Sequence, residues 1–168
     1  SLTVALPILS ACGHETAVLP SAVLSTHTAG FSGYTFRDLT EDMPKIKAHW
    51  IKENIKFDAI YTGYLGSTKQ IDYVSEFFNE TGKAACIKIV DPAMADNGKL
   101  YPGFDNDFVQ AMKKLCGEAD YLVPNISEAC FLTDTEFKTE YSRDYIDALI
   151  SKMVALGAKN IILTGVSY

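Results

Sequence analysis

The chain has 168 residues, nearly half of them apolar, which is about one domain's worth with enough apolar surface to bury a core. Its net charge is −6 and no block of lysine or arginine forms a basic stripe, so nucleic acid is not an expected partner. No apolar run reaches the ~18 residues that would suggest a membrane span, and no signal peptide is visible.

Residues 2–12 read as a helix closed by Gly13, and residues 15–19 as a short strand stopped by Pro20. Residues 21–37 form a long polar and aromatic segment rich in Ser, Thr and Gly. Residues 40–54 read as a helix with Pro44 in its first turn, where proline is tolerated. A strand follows over 58–61. The next helix, 67–80, opens with Ser67-Thr68-Lys69-Gln70, which fits a capping box, and shows Ile71, Val74, Phe77 and Phe78 on one face.

Residues 84–90 are a near-continuous apolar strand, the pattern of a strand covered on both sheet faces. Residues 104–116 read as a helix carrying Phe104, Phe108, Met112 and Leu115 on one side. A strand over 121–123 leads into a short helix over 125–132. The helix over 142–156 shows Ile146, Leu149, Ile150, Met153 and Leu156 and is closed by Gly157. The last strand is 160–164. This alternation predicts one α/β domain over residues 1–168, a doubly wound, mainly parallel sheet flanked by helices. Such a sheet usually begins with a strand. This segment begins with a helix and stops four residues beyond a strand, so the sheet is expected to be incomplete at both ends.

The four cysteines, Cys12, Cys86, Cys116 and Cys130, form no CxxC pair and lie in apolar segments, as expected of reduced core cysteines in a cytoplasmic protein. His14, His27 and His49 show no zinc spacing with them.

Three acids, Asp91, Asp96 and Glu128, fall just past the ends of apolar strands, the edge where open α/β sheets bind ligands. Gathered there they would repel one another unless they share a cation, and Mg²⁺ carrying nucleotide phosphates is the usual resident. Pro92 ends the strand and fixes Asp91 at the sheet edge. Asp96-Asn97-Gly98 also fits a plain surface turn. Asn125-Ile126-Ser127-Glu128 has two equal readings. It is a capping box that ties down a helix start, or a helix start facing an anion with Glu128 on the metal. Thr26-His27-Thr28 with Phe31 and Tyr34 suits a planar heteroaromatic ligand, or is a surface loop. Thr62-Gly63-Tyr64 and Thr164-Gly165 each follow a strand at the same edge, where Tyr64 could stack on a ring and Thr164 could meet a phosphate.

Five segments in order resemble the pyridoxal/pyridoxamine kinase branch of the ribokinase-like superfamily. They are Ala5-Leu6-Pro7-Ile8-Leu9-Ser10, Leu24-Ser25-Thr26-His27-Thr28, Tyr61-Thr62-Gly63-Tyr64-Leu65-Gly66-Ser67, Val90-Asp91-Pro92 with Met94 and Asp96, and Val123-Pro124-Asn125 with Glu128. The resemblance implies that His27, Thr28 and Tyr64 bind the pyridine substrate. It implies that Asp91, Asp96, Asn125 and Thr164 stand near the nucleotide phosphates, with Glu128 and Asp96 at the metal. The implied reaction is transfer of the ATP γ-phosphoryl group to the 5′-hydroxymethyl of pyridoxal, pyridoxine or pyridoxamine. ATP and Mg²⁺ are required, and the question of an added monovalent cation stays open. The resemblance further implies a cytoplasmic homodimer in the full-length protein. The family's opening strand and its Gly-Thr-Gly-Asp type of segment, which carries the general-base Asp, have no match before Tyr168, so no catalytic base is assigned. Two alternatives stay open, a hydroxymethylpyrimidine kinase and a non-catalytic α/β ligand-binding module.

Overall fold

The computed structural model describes residues 2–26 and 31–167. Helix α1 (Leu2–Ala11) ends before Gly13, whose positive φ of 87° is the left-handed conformation glycine supplies at a helix end. Strands β1 (Ala22–Leu24) and β2 (Phe36–Asp38) pair antiparallel as a separate ribbon. Helix α2 (Met43–Lys52) carries Pro44 in its first turn.

Next come β3 (Phe57–Tyr61), α3 (Thr68–Glu80) and β4 (Gly82–Val90). A small hairpin follows, β5 (Ala95–Asp96) with β6 (Lys99–Leu100). The chain continues through α4 (Asn106–Gly117), β7 (Tyr121–Leu122), α5 (Ile126–Leu132), α6 (Arg143–Ala155) and β8 (Asn160–Ile161).

The main sheet runs β3-β4-β7-β8 with every neighbouring pair parallel. Each new strand is added on the same side of the last. Right-handed crossovers then carry the connecting helices to one face. On that face Val90 and Leu122 are fully buried and Ile60, Ile161 and Leu163 pack beside them. The helices supply Ile71, Val74, Phe108, Met112, Ile146, Leu149 and Met153 to the same core.

The other face shows Tyr61, Ile87, Tyr121 and Ile162, all exposed. The apolar run 84–90 therefore does not have both faces covered among the described residues. Winding in one direction brings helices to one side only. A second expectation also fails. Residues 15–19 form no strand, and the pairing is made by Ser21–Ser25 instead, through Leu39 N to Ser21 O (3.1 Å) and Ser25 N to Thr35 O (3.1 Å). A strand exists only where its N–H and C=O groups find a partner, and in the described residues that partner faces the segment after Pro20.

Ser67 caps its helix as the spacing predicts, and two caps that the spacing did not single out join it. Ser67, Asp105 and Ser142 each accept from the backbone N–H three residues on. Asp105 caps α4, so that helix starts two residues later than its apolar pattern suggested. At α3 the expected capping box is only half made. Gln70 Oε1 accepts from Gly66 N (2.7 Å). Its Nε2 donates to Ser21 O (3.0 Å) and Thr40 Oγ1 (2.8 Å).

Gln70 is 1% exposed, so this one amide ties the ribbon, the entry to α2 and the exit of β3 together without water. Replacing it with leucine keeps the volume and adds hydrophobicity but takes the partner from three polar groups, one buried and two part-buried. Gln70→Leu should destabilise the fold by about 2–3 kcal/mol, measured as a lowered urea midpoint with an unchanged slope.

Candidate active site

All four parallel strands exit at one edge, and each delivers a polar group there. Beyond β3, Thr62 Oγ1 accepts from Asp91 N (3.1 Å) and donates to Asp91 O (3.4 Å). β4 gives way to Asp91, and Pro92, lacking an N–H, ends the ladder. Asp91 Oδ1 accepts from Ala93 N (3.2 Å), and the Tyr61 hydroxyl lies 3.5 Å from its Oδ2. β7 leads through Pro124, whose carbonyl accepts from both Thr164 N (2.8 Å) and Thr164 Oγ1 (3.2 Å). Asn125 and Thr164 form an isolated parallel bridge that continues the β7–β8 pairing to the edge.

Asn125 and Glu128 make a complete capping box. Asn125 Oδ1 accepts from Glu128 N (2.9 Å), and Glu128 Oε2 accepts from Asn125 N (2.8 Å). Glu128 Oε1 reaches further, to Met94 N (3.2 Å) on the loop after β4. Asn125 Nδ2 donates to Ala95 O (2.8 Å). A cavity of about 420 Å³ opens at this edge, lined by Asp91, Asn125, Glu128 and Thr164 together with Tyr61 and Tyr101.

Glu128 is only 3% exposed. Burial pushes its carboxyl up to about 7, with the Asp91 charge adding to the rise, while backbone N–H groups of Asn125, Met94 and Ala95 pull it partly back. Burial also raises the Asp91 carboxyl. Among the described residues no lysine or arginine pairs with either acid. No set of three or more His, Cys, Asp or Glu side chains there forms a metal cage. The arrangement fits a hard cation that takes two carboxylates and completes its shell with phosphate oxygens and water, as Mg²⁺ does.

The structure thus brings Asp91, Asn125, Glu128 and Thr164 into one cavity. Asp96 stands outside its lining. It is exposed on the hairpin, with Oδ1 accepting from Asn97 N (2.8 Å), the plain-turn geometry that the spacing also allowed. Its charge is still felt, because Asp96 helps Glu128 and Asp91 raise the Tyr101 phenol, itself raised first by burial. Tyr64 also lies outside the lining. It is 37% exposed and stacks on Phe104 with ring centroids 5.9 Å apart. His27 and Thr28 fall outside the described residues.

Tyr61 and Tyr101 are the polar side chains of the cavity lining that the sequence reading did not single out. Tyr61 carries a signal, as the last residue of a strand at the binding edge. Tyr101 carries none, since the hairpin before it brings it there.

The raised Glu128 carboxyl makes stability depend on pH with a definite sign. Between its ordinary 4.5 and about 7 the folded protein holds a proton the unfolded chain has lost. The contribution of Glu128 to stability is then largest below 4.5 and is lost as pH rises through 7. Glu128→Gln should remove much of that decline. It should leave the melting temperature at low pH little changed, because the protonated carboxyl, like glutamine, offers one full acceptor where two backbone N–H groups donate. Melting curves of both proteins from pH 4 to 8 would show it, and parallel curves would contradict it.

The model of the phosphomethylpyrimidine kinase family matches residues 8–168. The structure superposes on a Bacteroides thetaiotaomicron protein, provisionally designated a phosphomethylpyrimidine kinase and solved with pyridoxal, at TM-score 0.94 and 41% identity. That match covers 100% of this chain and 58% of the other. Pyridoxal kinase from Lactobacillus plantarum matches at TM-score 0.90 and 32% identity, covering 100% of this chain and 59% of that one. A Dictyostelium discoideum pyridoxal kinase is 29% identical over 112 residues, 65% of this chain and 35% of the relative. The chain therefore spans less than two thirds of the length of each. Its parallel sheet and flanking helices are those of a ribokinase-like fold, and the chain belongs to the pyridoxal kinase/phosphomethylpyrimidine kinase family.

Proposed function

We propose that this chain supplies the metal and phosphate side of an ATP-dependent kinase that phosphorylates the 5′-hydroxymethyl group of pyridoxal, pyridoxine or pyridoxamine. The observation that carries the reading is the pair Asp91 and Glu128, two carboxylates sharing one cavity with no cationic side chain of the described residues against them. Mg·ATP, when bound, supplies the phosphoryl group, and its metal offsets charge on the phosphate oxygens. Asp91 and Glu128 would hold the cation at the sheet edge, and Asp96 on the adjoining hairpin would add its charge. Asn125, immobilised by its own capping box, keeps Glu128 in register. Thr164, whose hydroxyl rests on the Pro124 carbonyl, would turn it to meet a phosphate. His27, Thr28 and Tyr64 receive the pyridine ring. Positioning and charge neutralisation then lower the barrier. The complete protein is read as a cytoplasmic homodimer.

A second reading has its own support. The matching family model describes phosphomethylpyrimidine kinases, and a close structural relative so designated was solved with pyridoxal. Steady-state phosphorylation of a panel of pyridine and pyrimidine hydroxymethyl compounds by the complete protein separates the two. Turnover of the pyridines alone supports the B6 assignment, and preference for hydroxymethylpyrimidine overturns it. Absence of any turnover would leave a ligand-binding module.

Two outcomes follow for variants. Tyr64→Ala in the complete protein should raise the KM for the vitamer about tenfold, comparable to losing ~1.4 kcal/mol of ring contact, and leave the KM for ATP within twofold. Equal effects on both would return Tyr64 to packing on Phe104. Residues 1–168 purified alone should give no pyridoxal phosphate from ATP and pyridoxal, since a hydroxyl nucleophile needs a base within hydrogen-bond reach and the acids here are assigned to metal and phosphate. Sustained turnover by that segment would make Asp91 or Asp96 the base.

A further inference from the structure

Between Asp91 and Tyr101 the chain leaves the sheet, folds into the β5–β6 hairpin and returns to the cavity wall. The hairpin turns on Asn97 and Gly98, with φ of 49° and 71°, the two positive values of the tight turn that Asn-Gly favours. Tyr101 N donates to Met94 O (2.8 Å) and closes its base.

Two further contacts hold the tip of the hairpin, one at the start of α5 and one on the segment that follows that helix. Gly98 N donates to Ser127 Oγ (2.8 Å), and Ser127 is buried. The Phe137 ring lies so close that a Cβ on Gly98 would stand 2.6 Å from it. The Asn125 and Glu128 bonds to Ala95 O and Met94 N hold only the near end of the hairpin. Ser127 and Phe137 reach the tip. A two-stranded hairpin of this size does not hold its position by itself, so these contacts decide where its second strand, and with it Tyr101, sits.

We propose that Ser127 is a positioning residue for nucleotide binding. Its hydroxyl pins the hairpin tip, which holds Tyr101 in the cavity beside Asp91 and Glu128. The proposal rests on the kinase reading of that cavity for its ligand, but its structural half can be measured without turnover. Ser127 does not itself line the cavity, so its loss should act through the hairpin and Tyr101.

The test uses the complete protein with Ser127→Ala and, from the other side of the contact, Gly98→Ala, which pushes the tip off Phe137. Amide hydrogen exchange across residues 95–101 and the dissociation constant for Mg·ADP are measured, together with KM for ATP and for the alcohol acceptor. Both variants are expected to speed exchange in the hairpin and to weaken Mg·ADP about fivefold, the scale of one lost hydrogen bond. KM for ATP should rise likewise while KM for the acceptor stays within twofold. Where Gly98→Ala does not fold, Ser127→Ala decides.

Unchanged hairpin exchange, or equal rises in both KM values, would overturn the proposal. So would a lowered melting temperature with unaltered Mg·ADP affinity. If the wild-type protein binds Mg·ADP but phosphorylates no alcohol, the kinase reading fails, and hairpin exchange with Mg·ADP affinity still decides the role of Ser127. No Mg·ADP binding by the wild type would sink both.

Discussion

The candidate site depends on one buried carboxylate. Glu128 accepts a backbone N–H from Asn125 with one oxygen and from Met94 with the other, so it joins the exits of β7 and β4 across the sheet edge. Both bonds favour the ionised form and burial opposes it. Burial wins, and the group sits near neutrality at about 7. Protonation would take one oxygen out of service as an acceptor and loosen one of the two exits. A cation placed among these acids would restore the ionised form and tighten both. Geometry and charge at this edge are therefore a single equilibrium, and whatever binds there acts on both.

Around that carboxylate the structure builds outward in two directions. Toward α5 lies the hairpin, held by the side chains that also cap the helix. Toward the ribbon lies a row of aromatic rings. Tyr64 stacks on Phe104, Phe104 lies 3.9 Å from Phe108 between centroids, and Tyr101 approaches Phe104 at 6.5 Å. Tyr101 thus belongs to both systems, with its ring in the aromatic row and its hydroxyl-bearing side chain in the cavity wall. The backbone of Tyr64 is fixed in turn, because its carbonyl accepts from Ser21 Oγ (2.8 Å). The contacts run without interruption from the ribbon, through stacked rings, to the carboxylates.

Much of this was legible before any coordinates. The helices announced themselves through period-3.6 apolar faces and, at Ser67 and Asn125, through their caps. The parallel sheet followed from strand and helix alternation, and Asp91, Asn125, Glu128 and Thr164 each follow a strand at its carboxyl end. What could not be read were features set by pairing partners distant in sequence. The β1–β2 ribbon joins residues 22–24 to 36–38 through polar, aromatic sequence with no period-2 pattern. The hairpin strands are two residues each, too short for any periodicity, and only Asn97-Gly98 betrays the turn. The expectation for 84–90 failed for another reason. A run of apolar residues reports that a strand is apolar on both sides, and winding direction decides which side meets helices.

The two readings of Asn125 and Glu128 that spacing left equal are not rivals in the folded protein. A capping box needs the glutamate to fold back on its own helix start, which buries the carboxylate against the backbone of the preceding strand exit. In an open parallel sheet that exit is the ligand edge. The same fold-back that satisfies Asn125 N therefore delivers a desolvated negative charge to the cavity. Asp91, fixed beside it by Thr62 and by the proline that ends its strand, supplies the second. A capping glutamate at an exposed helix start would be solvated and electrostatically mild. Here the sheet removes the water, and a local device for starting a helix becomes one half of an acidic pair whose repulsion a metal-bound phosphate is suited to relieve.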